Sequence, residues 1–340
     1  MSNSASDSAG WILLREVILA LGMISLLITG LWIHTDSMPP LVVVESDSMI
    51  HDAAGEVGSI DAGDLILVHS VAADKIITFA EATETGNPHY EYSSHGMYGD
   101  VIIYKKNGAE GTPIIHRAIL KAVANATVTP TDRETQSCPA GTSWDGVSAD
   151  SDGRAGTCVL TWDVEGTSLV NVDNITWHFD GSNTGLYPCD RNSGFNHAGI
   201  IEDYLVINQW DPGHAGIITL GDNNRCSVDQ GANAAPGSNG LFTTQGQVGA
   251  VQDDWLVGVA GQEIPWLGSV KLALAGGEPG TYYVPTSSWV GLFVSIGILL
   301  ALPFILEPLA RVVLATSPEI DEAKREEAIS TVAKTLLEEE

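Results

Sequence analysis

The chain has 340 residues, 44% of them apolar, enough to bury a sizeable core. Its 15 basic residues face 43 acidic ones, a formal charge of −28, and that balance excludes nucleic acid, whose phosphates are met by Lys and Arg. The acidity reads as a solvated surface suited to a salty habitat and marks no site.

Residues 1–10 are polar and precede a membrane candidate at 11–33. Val17–Ile33 carries no charge, and Trp11–Leu14 lengthen it beyond Arg15-Glu16. At about 1.5 Å per residue this stretch crosses a hydrocarbon core of about 30 Å. No small-x-small site follows directly, and His34–Pro40 is a poor cleavage context, so it reads as a retained anchor and not a cleaved leader.

Short β-branched runs bounded by Gly, Pro, Asn or Asp then predict strands at Leu41–Glu45, Asp64–Val68, Asp100–Tyr104 and Pro113–Leu120. Ile217–Gly221 and Trp255–Val259 continue the pattern, and no helical periodicity of useful length interrupts it. The expected fold class is mainly β. The β core is split into 34–120 and 217–275 around an insertion at 121–216, with only brief strands such as Ser168–Val172 and Ile175–Phe179. Asp145…Asp150-Ser-Asp152-Gly153 has some of the acid spacing of a calcium loop but lacks the full pattern, so no metal ligand is assigned.

After a linker at 276–288, Trp289–Leu306 predicts a second transmembrane helix, which Pro303 kinks without forbidding. The tail at 307–340 is charged, and Ser317–Glu340 reads as a solvated helix. Arg15 precedes the first span, Arg311, Lys324 and Arg325 follow the second, and the flanks between them hold only Lys271. Both termini are therefore expected in the cytoplasm and the middle outside. The four cysteines, Cys138, Cys158, Cys189 and Cys226, all lie in that outer part. Cys138–Cys158 with Cys189–Cys226 is the expected pairing among three possible ones. Asn125-Ala-Thr and Asn174-Ile-Thr are glycosylation sequons.

Three elements could carry chemistry. Ser46-Asp47-Ser48-Met49 follows the first strand, His116-Arg117 lies on a strand, and Gly221-Asp222-Asn223 opens a turn ending in Ser227-Val-Asp229. Singly, each has an ordinary structural explanation. Together and in this order they resemble the type I signal peptidases, membrane-bound serine proteases. Gly63-Asp64 and Gly99-Asp100 ahead of strands, and Pro265-Trp-Leu-Gly268, belong to the same resemblance. It covers about 41–120 and 217–270 plus the first span; the insertion lies outside it. The bacterial form carries Lys where this chain has His116, whereas the archaeal and endoplasmic-reticulum form carries His.

The resemblance implies a signal-peptidase-like β catalytic domain between one N-terminal and one C-terminal transmembrane helix. Its activity would be removal of signal peptides from exported preproteins after a small-x-small segment. Ser48 would be the nucleophile and His116 the base, since imidazole titrates near neutrality without the burial a Lys base requires. A carboxylate must then hold the imidazole, and the turn supplies Asp229 and Asp222. Asp229 is favoured on spacing, with Asp222 left to shape the turn or share the role. Ser46 would donate to the oxyanion or cap its own turn. Arg117 faces away from His116 on the strand and reads as a surface or ion-pairing residue. The implied partners are preprotein signal peptides, the lipid bilayer and the secretion translocon; no cofactor is needed.

The chain departs from the family at His51, where Pro is usual, and in a longer link from His51 to Ala62. A degenerate relative that binds a partner at the cell surface is therefore the alternative. A self-cleaving repressor-type peptidase shares the β architecture, but the two spans, His116 and the acidic charge speak against it.

Overall fold

The computed structural model describes residues 3–128, 138, 143–145, 157–189, 204–212, 214–230, 248–276, 280–315, 325–327 and 329–330. The chain divides into two compact units, 1–288 and 289–340. The first contains the helix α1 (Asn3–Thr35) and a sheet-rich body. The second holds most of the helix Thr286–Ala315, which keeps Pro303 and Pro308 inside it. Leu13–Thr35 and Thr286–Pro308 are both long and apolar enough to cross a membrane. Leu26, Met23 and Ile33 are more than two-thirds exposed, an apolar surface that is costly in water.

The chain leaves α1 tied to the body. Thr35 O accepts from Ser70 N at 2.9 Å, and the His34 ring meets the His69 ring edge-on at 5.4 Å. Then come β1 (Leu41–Val43), β2 (Leu65–His69), the short helix α2 (Phe79–Thr83), and the small hairpin β3 (Ser93–Ser94) and β4 (Met97–Tyr98). They are followed by β5 (Val101–Tyr104), β6 (Ile114–Val128), β7 (Ser143–Asp145), β8 (Thr157–Val164), β9 (Ile175–His178), β10 (Val206–Trp210) and β11 (Gly216–Leu220). β12 (Leu256–Ile264) and the helix α3 (Gly268–Ala275) precede α4 (Thr286–Ala315).

One sheet runs β1-β2-β12-β5-β6-β8-β7, with β11 also paired to β6, while β9 and β10 form a separate ribbon. The alternation of β2, partly exposed then buried, gives Ile66 and Val68 to the core. β5 is buried at every position, as a central strand covered on both faces should be. The two Gly-Asp pairs end in carboxylates that fasten turns. Asp64 accepts from Asp61 N and Trp266 N, and Asp100 accepts from Ile77 N and the Tyr92 hydroxyl. Burial pushes both carboxyls upward, with those hydrogen bonds opposing it.

The sequence boundary at 120/121 falls inside a single strand. β6 pairs with β5 through Ile114–Arg117, with β11 through Arg117–Ala122, and with β8 from Ala122 to Val128. Trp162, Trp177, Phe179 and Tyr187 share one core cluster with Leu120, Leu220 and Phe79. The segment read as an insertion therefore extends the same sheet and the same core. Ser168–Val172 is a loop that touches β8 by one bridge at Val172, and α3 adds a helix where periodicity predicts none. Cys138–Cys158 and Cys189–Cys226 are bonded, the second joining this region to the 221–229 turn. Both sequon asparagines are exposed, and the Asn125 amide donates to Asp163. The acidic run at 150–153 lies outside the described residues, as does most of 317–340, of which 325–327 and 329–330 are helical.

Candidate active site

Edge strand β1 delivers the chain into the turn 45–50, where Ile50 N donates to Asp47 O at 3.3 Å. Met49 is 1% exposed and anchors that turn in the core. Across from it, β11 ends at Leu220 and the 221–229 turn begins. Asn223 clasps the serine loop: its N donates to Ser48 O at 2.8 Å and its side-chain amide to Asp47 O at 3.0 Å. Gly221 allows the approach, because a Cβ there would lie 2.8 Å from both His116 Nε2 and Ser48 O.

His116 sits in register with Ile102 of β5 and points at Ser48, with Nε2 3.0 Å from Ser48 Oγ. Its Nδ1 is hydrogen-bonded to Asp229 Oδ2. Asp229 also accepts from Thr219 Oγ1 at 2.6 Å and from the Tyr104 hydroxyl at 2.8 Å. Burial works against its charge, but the charge and hydrogen bond of His116, with those two hydroxyls, hold its carboxyl below the ordinary range. The ionised carboxylate can only accept, so Nδ1 carries the proton and Nε2 offers a lone pair to the serine hydroxyl. Burial and the same carboxylate drive the Tyr104 phenol well upward, so it stays a donor.

Gln230 completes the support. Its side-chain oxygen accepts from Thr219 N and its amide donates to Thr219 Oγ1, fixing the hydroxyl that faces Asp229. No motif or spacing signals Gln230, the residue after Asp229, or Tyr104 and Thr219, which become neighbours of Asp229 only once β5 and β11 flank β6.

Ser46 Oγ lies 3.2 Å from Ser48 Oγ. Asp222 is placed elsewhere. Asp229, not Asp222, holds the histidine. Asp222 accepts from Arg117 Nε at 2.9 Å and Nη2 at 2.7 Å, from the Tyr187 hydroxyl at 3.2 Å, and bonds His51 Nε2 at 2.8 Å. Arg117 is no surface residue: it is 0% exposed, and its Nη1 donates to Gly99 O at 2.8 Å and reaches the carbonyls of Ser94 and Tyr98. Burial weakens its hold on the proton, yet the charge and hydrogen bonds of Asp222 override that and raise it. His51, the departure from the family pattern, thus ties the segment after Ser48 to this ion pair. Gly96 leaves room for its ring, since a Cβ there would lie 2.9 Å from His51 Nδ1.

A groove of about 350 Å³ opens onto the pair, between Val43–Ser46 on one side and Thr112–His116 on the other. Its floor and walls are largely apolar (Val43, Val44, Ile114, Ile115), and β1 stands at the end of the sheet order. At its rim Glu45 pairs with Lys271 of α3 at 2.8 Å. The arrangement can lower the cost of removing a proton from Ser48, hold an extended apolar segment beside the hydroxyl, and return the proton to a leaving group. Comparison with known proteins gives no further guide: no family model, no curated protein and no solved structure matches the chain.

Proposed function

We propose that this chain is a membrane-anchored serine endopeptidase of the type I signal peptidase kind, with Ser/His/Asp chemistry. It would remove signal peptides from exported preproteins after a small-x-small segment. The observation that carries the proposal is Ser48 Oγ at 3.0 Å from His116 Nε2, with Asp229 on the far ring nitrogen, at the end of an open groove against edge strand β1.

A preprotein segment laid along β1 would gain main-chain hydrogen bonds, and the apolar groove would take its small side chains. Ser48 Oγ attacks the scissile carbonyl as His116 Nε2 takes its proton, and Asp229 steadies the imidazolium. The tetrahedral oxyanion would be met by Ser46, a contribution of this type being worth about 100- to 1,000-fold in rate. His116 then gives the proton to the departing amine. Water, deprotonated by the same histidine, hydrolyses the acyl-enzyme and frees the signal peptide. The two apolar helices would place this groove outside, next to the bilayer that presents the substrate.

The full chain in lipid vesicles, given a signal-peptide reporter, is expected to release the mature fragment, and Ser48→Ala protein to release none. Equal cleavage by purified Ser48→Ala protein, or none by the wild type, would end the proposal.

A further inference from the structure

Asn224 stands beside the catalytic pair. It is half-buried and lines the same groove as Ser46, Ser48 and His116. Its main chain is committed to the turn: Asn224 N donates to Gly221 O and Asn224 O accepts from Ser227 N, both at 2.8 Å. Asn223 binds that turn to the serine loop, and Cys226 braces it through Cys189. The Asn224 side chain is differently placed. Among the described residues its carboxamide has no hydrogen-bond partner, although it lies at the most polar point of a largely apolar groove.

Gly221 shows where that carboxamide lies. A Cβ on Gly221 would meet Asn224 Nδ2 at 2.7 Å, His116 Nε2 at 2.8 Å and Ser48 O at 2.8 Å. One atom could therefore touch both the amide and the imidazole nitrogen. Among the described residues no direct hydrogen bond joins these two groups, and a water bonded to each spans a separation of up to about 5.5 Å. Hydrolysis of an acyl-enzyme needs a water at this point, because Nε2 is the atom that must take its proton. A carboxamide both donates and accepts, so it can hold a water there without adding charge beside the imidazole.

Resting on the peptidase reading, we infer that Asn224 positions the water that hydrolyses the acyl-enzyme. In that step the water oxygen bonds to the acyl carbon of the Ser48 ester while His116 Nε2 takes one of the water's protons. The bond from that carbon to Ser48 Oγ then breaks, and His116 returns the proton to Oγ. Asn224 keeps its own protons throughout. It acts as a positioning residue, holding the water between its amide and Nε2 so that attack is not left to a diffusing molecule.

Two signal-peptide reporters, one with the natural amide at the cut and one with an ester there, separate the half-reactions on the full chain in lipid vesicles. An ester acylates Ser48 readily, so its kcat reads hydrolysis of the acyl-enzyme, whereas kcat/KM on the amide reads acylation. Asn224→Leu, similar in size but without hydrogen-bonding groups, is expected to lower the ester kcat about 10- to 100-fold and the amide kcat/KM by less than about threefold. The acyl group should then accumulate on Ser48, seen by mass spectrometry, and hydroxylamine in excess should restore turnover of the ester. Equal losses on both reporters with no acyl-Ser48, or an ester kcat like that of the wild type, would overturn the inference and leave the peptidase reading standing. Failure of the wild type to cleave either reporter would overturn both.

Discussion

Asp229→Asn is expected to lower kcat/KM on a signal-peptide reporter by about 10³- to 10⁴-fold while the folded domain persists. The reason is tautomeric. Asp229 accepts the Nδ1 proton of His116, which leaves Nε2 free to take a proton from Ser48. An asparagine amide can donate to Nδ1, which moves the ring proton to Nε2 and faces Ser48 with a donor. Thr219 Oγ1 and the Tyr104 hydroxyl meet the same oxygen as Nδ1, so they lose that acceptor too, while the side chain keeps its size and shape. The replacement also removes an acid-side sensitivity. Because Asp229 is held below the ordinary carboxylate value of 3.8, its contribution to stability is complete above that value and lost as pH falls through the lower folded one. Reporter kinetics alongside thermal unfolding of the same preparation separates these two effects.

Arg117→Met should do the opposite: it strikes the fold first. Asp222 would then be left charged among buried groups without its guanidinium partner, beside Tyr187 and His51. Losing one partner of a buried pair typically costs about 3–5 kcal/mol, and a fall in melting temperature on the order of 10 °C is expected. The carbonyls of Ser94, Tyr98 and Gly99 lose their shared donor at the same time, which loosens the β3–β4 hairpin. Activity should decline only as the folded fraction does. A variant with unaltered melting and a rate as low as that of Asp229→Asn would show that Arg117 acts in the chemistry.

The difference between these two aspartates is only half legible in the sequence. The spacing of the box that resembles the signal peptidases points to Asp229, and the turn after Gly221 returns the chain beside Thr219 of β11. The destination of Asp222 depends on the other face of the same strand, and alternation alone does not say whether that face is solvent or core. Arg117 is buried because the hairpin carbonyls at 94–99 converge on it, a pocket that forms only when β3 and β4 fold over the sheet. His51 reads as a flaw in the serine loop, yet its Nε2 reaches Asp222 across 171 residues of chain.

Strand positions are well marked by β-branched runs, since buried strands favour such side chains. The boundary at 120 is not, because β6 changes partner from β11 to β8 without any break in its own pattern. Cysteines and turn residues after 121 suggest a separate module, while Trp162 and Trp177, which join it to the core, carry no label in the sequence for which side they will pack against.

Covalent capture of Ser48 puts the central geometry to the test. A peptidyl phosphonate carrying a signal-peptide sequence, incubated with the full chain at neutral pH, should modify one residue, located by mass spectrometry as Ser48, and labelling should fall to background in His116→Ala protein. Labelling on another residue, or at the same rate without the imidazole, would mean that the hydroxyl and the ring do not work as a pair.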